Sequence, residues 1–141
     1  MSDDMYREQI IDLYQHPLNH GALENATFSY EEDNPLCGDV IRMDIRLDEQ
    51  GRVDAVAWGG DGCAISQASA SLLTEEIKGM TLTEIREFPK ERLLELIGVP
   101  LSMARVKCAL LSLKVLKAGA YGLPNPETMR HQSLVSLSAS G

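Results

Sequence analysis

Three cysteines, Cys37, Cys63 and Cys108, stand in surroundings suited to chemistry. Cys37 lies in Asn34-Pro35-Leu36-Cys37-Gly38-Asp39, a turn-forming run with a carboxylate two residues on. Cys63 follows the flexible run Gly59-Gly60-Asp61-Gly62, and Cys108 closes the basic run Arg105-Val106-Lys107-Cys108. A cysteine packed as a small hydrophobe asks for none of these settings. Three thiols and the Asp39 carboxylate make four donors for a thiophilic metal. They match a tetrahedral zinc site. They also match the four terminal ligands of an iron–sulfur cluster. A hard carboxylate among soft thiolates is a mismatched corner that lets go more readily. Such a site suits assembly and hand-off better than permanent residence.

The four donors are far apart along the chain, so the fold must gather them. Residues 3–15 read as a short amphipathic helix stopped at His16-Pro17. Thr27 to Glu32 reads as a short edge strand. Val40 to Leu47 alternates, with Val40 (and Ile41), Met43, Ile45 and Leu47 against Arg42, Asp44 and Arg46. Asp48-Glu49-Gln50-Gly51 is a tight turn, and Val53 to Trp58 alternates again. In that second strand Val53, Ala55 and Ala57 share one face, and Asp54, Val56 and Trp58 the other. Helices are expected over 64–78, after a capping box at Thr81-Leu82-Thr83-Glu84, over 90–97 and over 102–119. Strands followed by helices, without βαβ alternation, predict an α+β fold: a small three-stranded antiparallel sheet with helices packed on one face. The start and end of a hairpin lie side by side, so Cys37 and Asp39 come close to Cys63. Cys108 joins them if one helix returns past that end. The positive end of the helix beginning after Cys63 favours a thiolate there. Arg105, three residues before Cys108, can stabilise a thiolate or pair with Asp39.

Other polar residues read more plainly. Ser66, Ser69 and Ser71 form a small-residue row for helix packing. Trp58 is a sheet-face anchor, and His16, His20 and His131 lack ligand-like spacing. Residues 1–122 form one domain, and the Ser-rich stretch 123–141 reads as a mobile C-terminal tail.

Composition narrows the function. Formal net charge is −8, with 44% hydrophobic and 24% charged residues. That balance argues against nucleic acid as a partner, because phosphate contacts need clustered Lys and Arg. No apolar run approaches the roughly 20 residues needed to span a bilayer, and the acidic start lacks a signal-peptide pattern. A cytoplasmic location is expected. An odd count of three cysteines in a reducing compartment points to thiolate ligands or nucleophiles rather than disulfides.

The motifs resemble the IscU/SufU (NifU N-terminal domain) family of iron–sulfur cluster assembly scaffolds. The resemblance rests on Asn34 to Asp39, on Gly62-Cys63-Ala64-Ile65-Ser66 with Ala68-Ser69-Ala70-Ser71, and on Arg105 to Cys108. Tyr14-Gln15-His16-Pro17-Leu18-Asn19-His20-Gly21 looks like that family's opening segment. It implies a SufE/NifU-like α+β fold and a site of Cys37, Asp39, Cys63 and Cys108. It implies a scaffold that takes sulfur from a cysteine desulfurase, builds a transient [2Fe-2S] cluster and passes it to apo-proteins. Zinc is expected in the same pocket when iron is absent. The alternative is a zinc-dependent sulfur acceptor, a role associated with SufU-like proteins, in which Cys37 attacks the desulfurase persulfide. The main reading is a carrier, not an enzyme. Expected partners are the desulfurase and apo iron–sulfur proteins, with homo-oligomers left open. Lys107 stands where IscU-type members have His, and Leu101-Ser102-Met103-Ala104-Arg105 fills their chaperone segment. Arg105 to Cys108 looks like SufU, yet only residues 64–107 separate Cys63 from Cys108, close to the IscU length. The sub-type stays open.

Overall fold

A computed structural model describes residues 3–34 and 38–122. Helix α1 (Asp3–Gln15) precedes strands β1 (Phe28–Asn34), β2 (Asp39–Leu47) and β3 (Val53–Asp61). Helices α2 (Ala64–Glu76), α3 (Leu82–Arg86), α4 (Lys90–Ile97) and α5 (Met103–Gly122) follow. The sheet is antiparallel in the order β1-β2-β3. The α+β class and the three-stranded sheet are as expected. The expected tail, 123–141, lies outside the described residues, as does His131.

The β2–β3 turn forms because Asp48 supplies two bonds in place of the ladder. Its carboxylate accepts from the Gln50 and Arg52 amides at 2.9 and 3.0 Å. Met43 faces Trp58 and Ile45 faces Val56 across the pair, so these four share the helix-covered face. Ile41, Met43, Ile45 and Trp58 are fully buried there. One reading is corrected: Val40 lies on the Arg42 face, and Ile41 takes the core position. A register shift beside Arg46 and Leu47 pairs Leu47 with Val53. That bulge returns Val53 to the buried side, away from the Ala55 and Ala57 face where strict alternation put it.

Helix α2 packs on β3, and α5 packs on β1 and β2. The two helices also meet each other, through small side chains. The buried Ser69 hydroxyl donates to the Ala109 carbonyl and lies 3.0 Å from the Ser112 hydroxyl. The serine row was read as packing, and at Ser69 it packs through hydrogen bonds. The N-terminal segment closes the open side of β3. Trp58 donates its backbone N–H to the Asn19 carbonyl at 2.9 Å and its indole N–H to the Leu18 carbonyl at 2.7 Å. The His20 ring meets the indole edge-on at 4.8 Å. The expected capping box at Thr81 and Glu84 is present, and Gly98 ends α4 at φ 75°. Among the described residues, no helix is long and apolar enough to cross a membrane.

Candidate metal centre

The register of the hairpin builds one end of the site. Val40 pairs with Asp61, so the start of β2 and the end of β3 lie together. Asp39 opens β2 and is buried. Gly60, opposite Ile41, sits at φ +130°, and a Cβ there would stand 1.9 Å from the Val40 carbonyl oxygen. Only glycine allows β3 to leave the sheet at this point. Two residues beyond β3, Cys63 is the N-cap of α2, with extended dihedrals. Cys108 comes from the second turn of α5, beside Ala109 at the α2–α5 contact.

These segments converge. The ligand atoms of Asp39, Cys63 and Cys108 all lie within 4.8 Å of one another. Cys63 is half-buried and Cys108 is buried. The Asp39 carboxylate has both oxygens engaged. Oδ1 accepts the Cys63 amide at 3.1 Å, and Oδ2 accepts the Ser66 hydroxyl at 2.7 Å. Oδ2 is also the oxygen that faces sulfur, 3.8 Å from Cys63 Sγ. Gly62 must be small, because a Cβ there would stand 2.9 Å from Asp39 Oδ1 and 2.8 Å from Ser66 Oγ. Among the described residues no Lys or Arg makes an ion pair with Asp39. A buried carboxylate without a neutralising cation is costly. An ion held between the sulfurs would supply that charge.

Arg105 is exposed over this cluster. Its guanidinium is held above its ordinary range, first by the charge of Cys63, then by a hydrogen bond with that sulfur and by Cys108. Of the two partners expected for Arg105, a thiolate or Asp39, the sulfurs are the ones whose influence on the guanidinium is resolved. Cys37 lies outside the described residues. Its neighbours are described: the Gly38 amide donates to the Asn34 carbonyl at 2.8 Å, immediately before Asp39.

Ser66 is the site residue that sequence reasoning missed, since it was grouped with Ser69 and Ser71. A signal existed. Ser66 lies three residues after Cys63, in the first helical turn, where a side chain faces back toward the N-cap.

Residues 5–128 match the family described as "NifU-like N terminal domain". The chain belongs to the NifU-like N-terminal domain family. Among its relatives, the "Zinc-dependent sulfurtransferase SufU" of Bacillus subtilis is 38% identical over 134 residues, covering 83% of this chain and 90% of that protein. The "Iron-sulfur cluster assembly scaffold protein IscU" of Buchnera aphidicola is 30% identical over 116 residues, covering 80% and 89%. A solved structure from Fervidobacterium islandicum, described as a "Putative iron-sulfur cluster assembly scaffold protein for SUF system", superposes with a TM-score of 0.70. It is 30% identical and covers 85% of this chain and 99% of that one. This NifU-like chain is therefore similar to both branches, as its motifs implied. The SufU alignment is longer than the part of this chain it occupies, so that relative carries residues absent here.

Proposed function

We propose that this NifU-like chain is an iron–sulfur cluster assembly scaffold. It receives sulfur from a cysteine desulfurase, builds a transient [2Fe-2S] cluster on Cys37, Asp39, Cys63 and Cys108, and delivers it to apo-proteins. The observation that carries the reading is the meeting of Asp39, Cys63 and Cys108, from three separate elements, within 4.8 Å. The cluster is cargo, so a good site must both hold and release it. The thiolates supply soft ligands, and Asp39 supplies a hard, easily exchanged corner. Arg105, exposed over the sulfurs, is the candidate that stabilises thiolates before loading and can swing away afterwards. A cytoplasmic location fits, because these thiols need a reducing compartment.

A second reading has its own support in the 38% identity to a zinc-dependent sulfurtransferase. Three thiolates and one carboxylate fit tetrahedral zinc. Zinc, when bound, would keep the sulfurs deprotonated and in place. In this reading the Cys37 thiolate attacks the terminal sulfur of the desulfurase persulfide. A new S–S bond forms on Cys37, the old one breaks, and the desulfurase cysteine leaves as thiolate.

Anaerobic reconstitution with iron and sulfide separates the two. A scaffold gives the visible absorption of a [2Fe-2S] centre and transfers it to an apo-ferredoxin. Absence of that absorption in both wild type and Asp39→Ala rejects the scaffold. The sulfur-acceptor reading expects zinc-loaded protein to stimulate a cysteine desulfurase and Cys37→Ser to abolish the effect.

A further inference from the structure

Ser66 stands inside the centre without being one of its four donors. Its side chain is fully buried, in the first turn of α2. Its hydroxyl donates to Asp39 Oδ2 at 2.7 Å and lies 3.6 Å from Cys63 Sγ. Oδ1 of the same carboxylate is already held by the Cys63 amide. The oxygen turned toward sulfur is thus the one that carries the Ser66 hydrogen bond.

We infer that Ser66 is a positioning residue that tunes release: its hydroxyl competes with a bound ion for Asp39 Oδ2. The inference rests on the reading of Asp39, Cys63 and Cys108 as a metal or cluster site. In the unloaded site, Ser66 gives a buried carboxylate oxygen its short hydrogen bond, beside the longer one from the Cys63 thiol at 3.8 Å. In the loaded site, the ion satisfies that oxygen and the hydroxyl has a second acceptor in Cys63 Sγ. Removing the hydroxyl therefore harms the unloaded form more than the loaded one. A ligand shifts an equilibrium only by its different free energies in the two states. The sign follows: Ser66 weakens ion binding at the Asp39 corner and so eases hand-off.

Zinc alone is the probe, measured by competition against a chromophoric chelator on the full chain. Ser66→Ala is expected to lower the zinc dissociation constant about tenfold, the equivalent of one hydrogen bond lost from a buried charged acceptor. It should also widen the gap in thermal midpoint between zinc-loaded and chelator-stripped protein. In an Asp39→Ala background the same substitution should leave zinc affinity unchanged. Equal or weaker zinc binding by Ser66→Ala overturns the inference, because it would make Ser66 a packing or orienting residue. So does an effect that persists in the Asp39→Ala background, or a Ser66→Ala chain that fails to fold even with zinc. If instead wild type holds zinc no better than Cys63→Ser and Cys108→Ser variants, the site reading itself falls and the inference falls with it. A Ser66→Ala chain that folds only with zinc supports the competition.

Discussion

Strand β2 carries two buried aspartates, and their surroundings differ in one decisive respect. Asp44, on the outer face of the sheet, accepts the Leu23 amide at 3.1 Å, the Ser29 hydroxyl at 2.8 Å and the Arg42 guanidinium at 3.2 Å. Arg42 in turn donates to the Gly21 carbonyl and lies against Gly59. Asp39, at the end of the sheet, also accepts one amide and one hydroxyl, but has thiols where Asp44 has an arginine. Asp44 is a completed network: its charge is neutralised and it ties the 21–23 segment to the sheet. Asp39 is complete in hydrogen bonds, and among the described residues no Lys or Arg pairs with it. Buried carboxylates of the first kind hold a fold together, and those of the second kind are candidates for a functional site.

That contrast can be broken in several ways. The largest expected effect is at the Asp39 end. Cys108→Ser should reduce the [2Fe-2S] absorption after anaerobic reconstitution to the level of iron-free protein. Full retention of the spectrum would show that the sulfurs near Asp39 do not share a cargo. Next comes Asp44→Ala, which strands the partly exposed Arg42 and the Leu23 amide. It should lower unfolding stability in urea by about 2 kcal/mol, discounted because Arg42 still reaches water. Its reconstitution per folded molecule should match wild type. Asp39→Ala should show the reverse partition. It loses the bonds from the Cys63 amide, the Cys63 thiol and the Ser66 hydroxyl, but relieves a buried charge that no cation pairs with among the described residues, so its stability cost should stay under about 1 kcal/mol. The reconstituted cluster should persist several-fold longer in air, read by decay of its absorption. Equal stability losses at the two aspartates would erase the distinction between them.

The same contrast explains what the sequence revealed. Alternation in 40–47 and 53–58, the Asp48 turn and the Thr81 capping box were legible because each is written in a few adjacent residues. The meeting of Asp39 with Cys63 was legible because hairpin geometry places a strand's start beside its partner's end. The face of Val40 was not, because Val40 and Ile41 are both apolar and alternation alone cannot rank them. The return of Val53 to the core was hidden too, since a bulge shifts register by one residue without a compositional mark. Ser66 was hidden differently. Its neighbours Ser69 and Ser71 share its type and serve helix packing and the 18–20 segment, through Ala109 and the Leu18 amide. Only the three-dimensional placement of Asp39 separates Ser66 from that row. Asp44 looked like a solvent-facing strand residue, and it is buried because residues 21–23 fold over it.

The smallest expected effect concerns the cation that the Asp39 end does possess. Arg105 is exposed, and the sulfurs of Cys63 and Cys108 are what hold its guanidinium above the ordinary range. Arg105→Gln should therefore slow alkylation of the zinc-free thiols by the anionic reagent iodoacetate at low ionic strength by about threefold, since an exposed cation beside the sulfurs draws the reagent in. Exposure makes the effect salt-dependent, and raising ionic strength toward 1 M, where the screening length is about 3 Å, should bring wild type and variant together. Folding stability should not move measurably, in keeping with the small contribution of exposed charge pairs. An alkylation rate unaffected by the substitution at low salt would remove Arg105 from the site. A large loss of stability would place it with Arg42, as part of the scaffold's framework rather than of its chemistry.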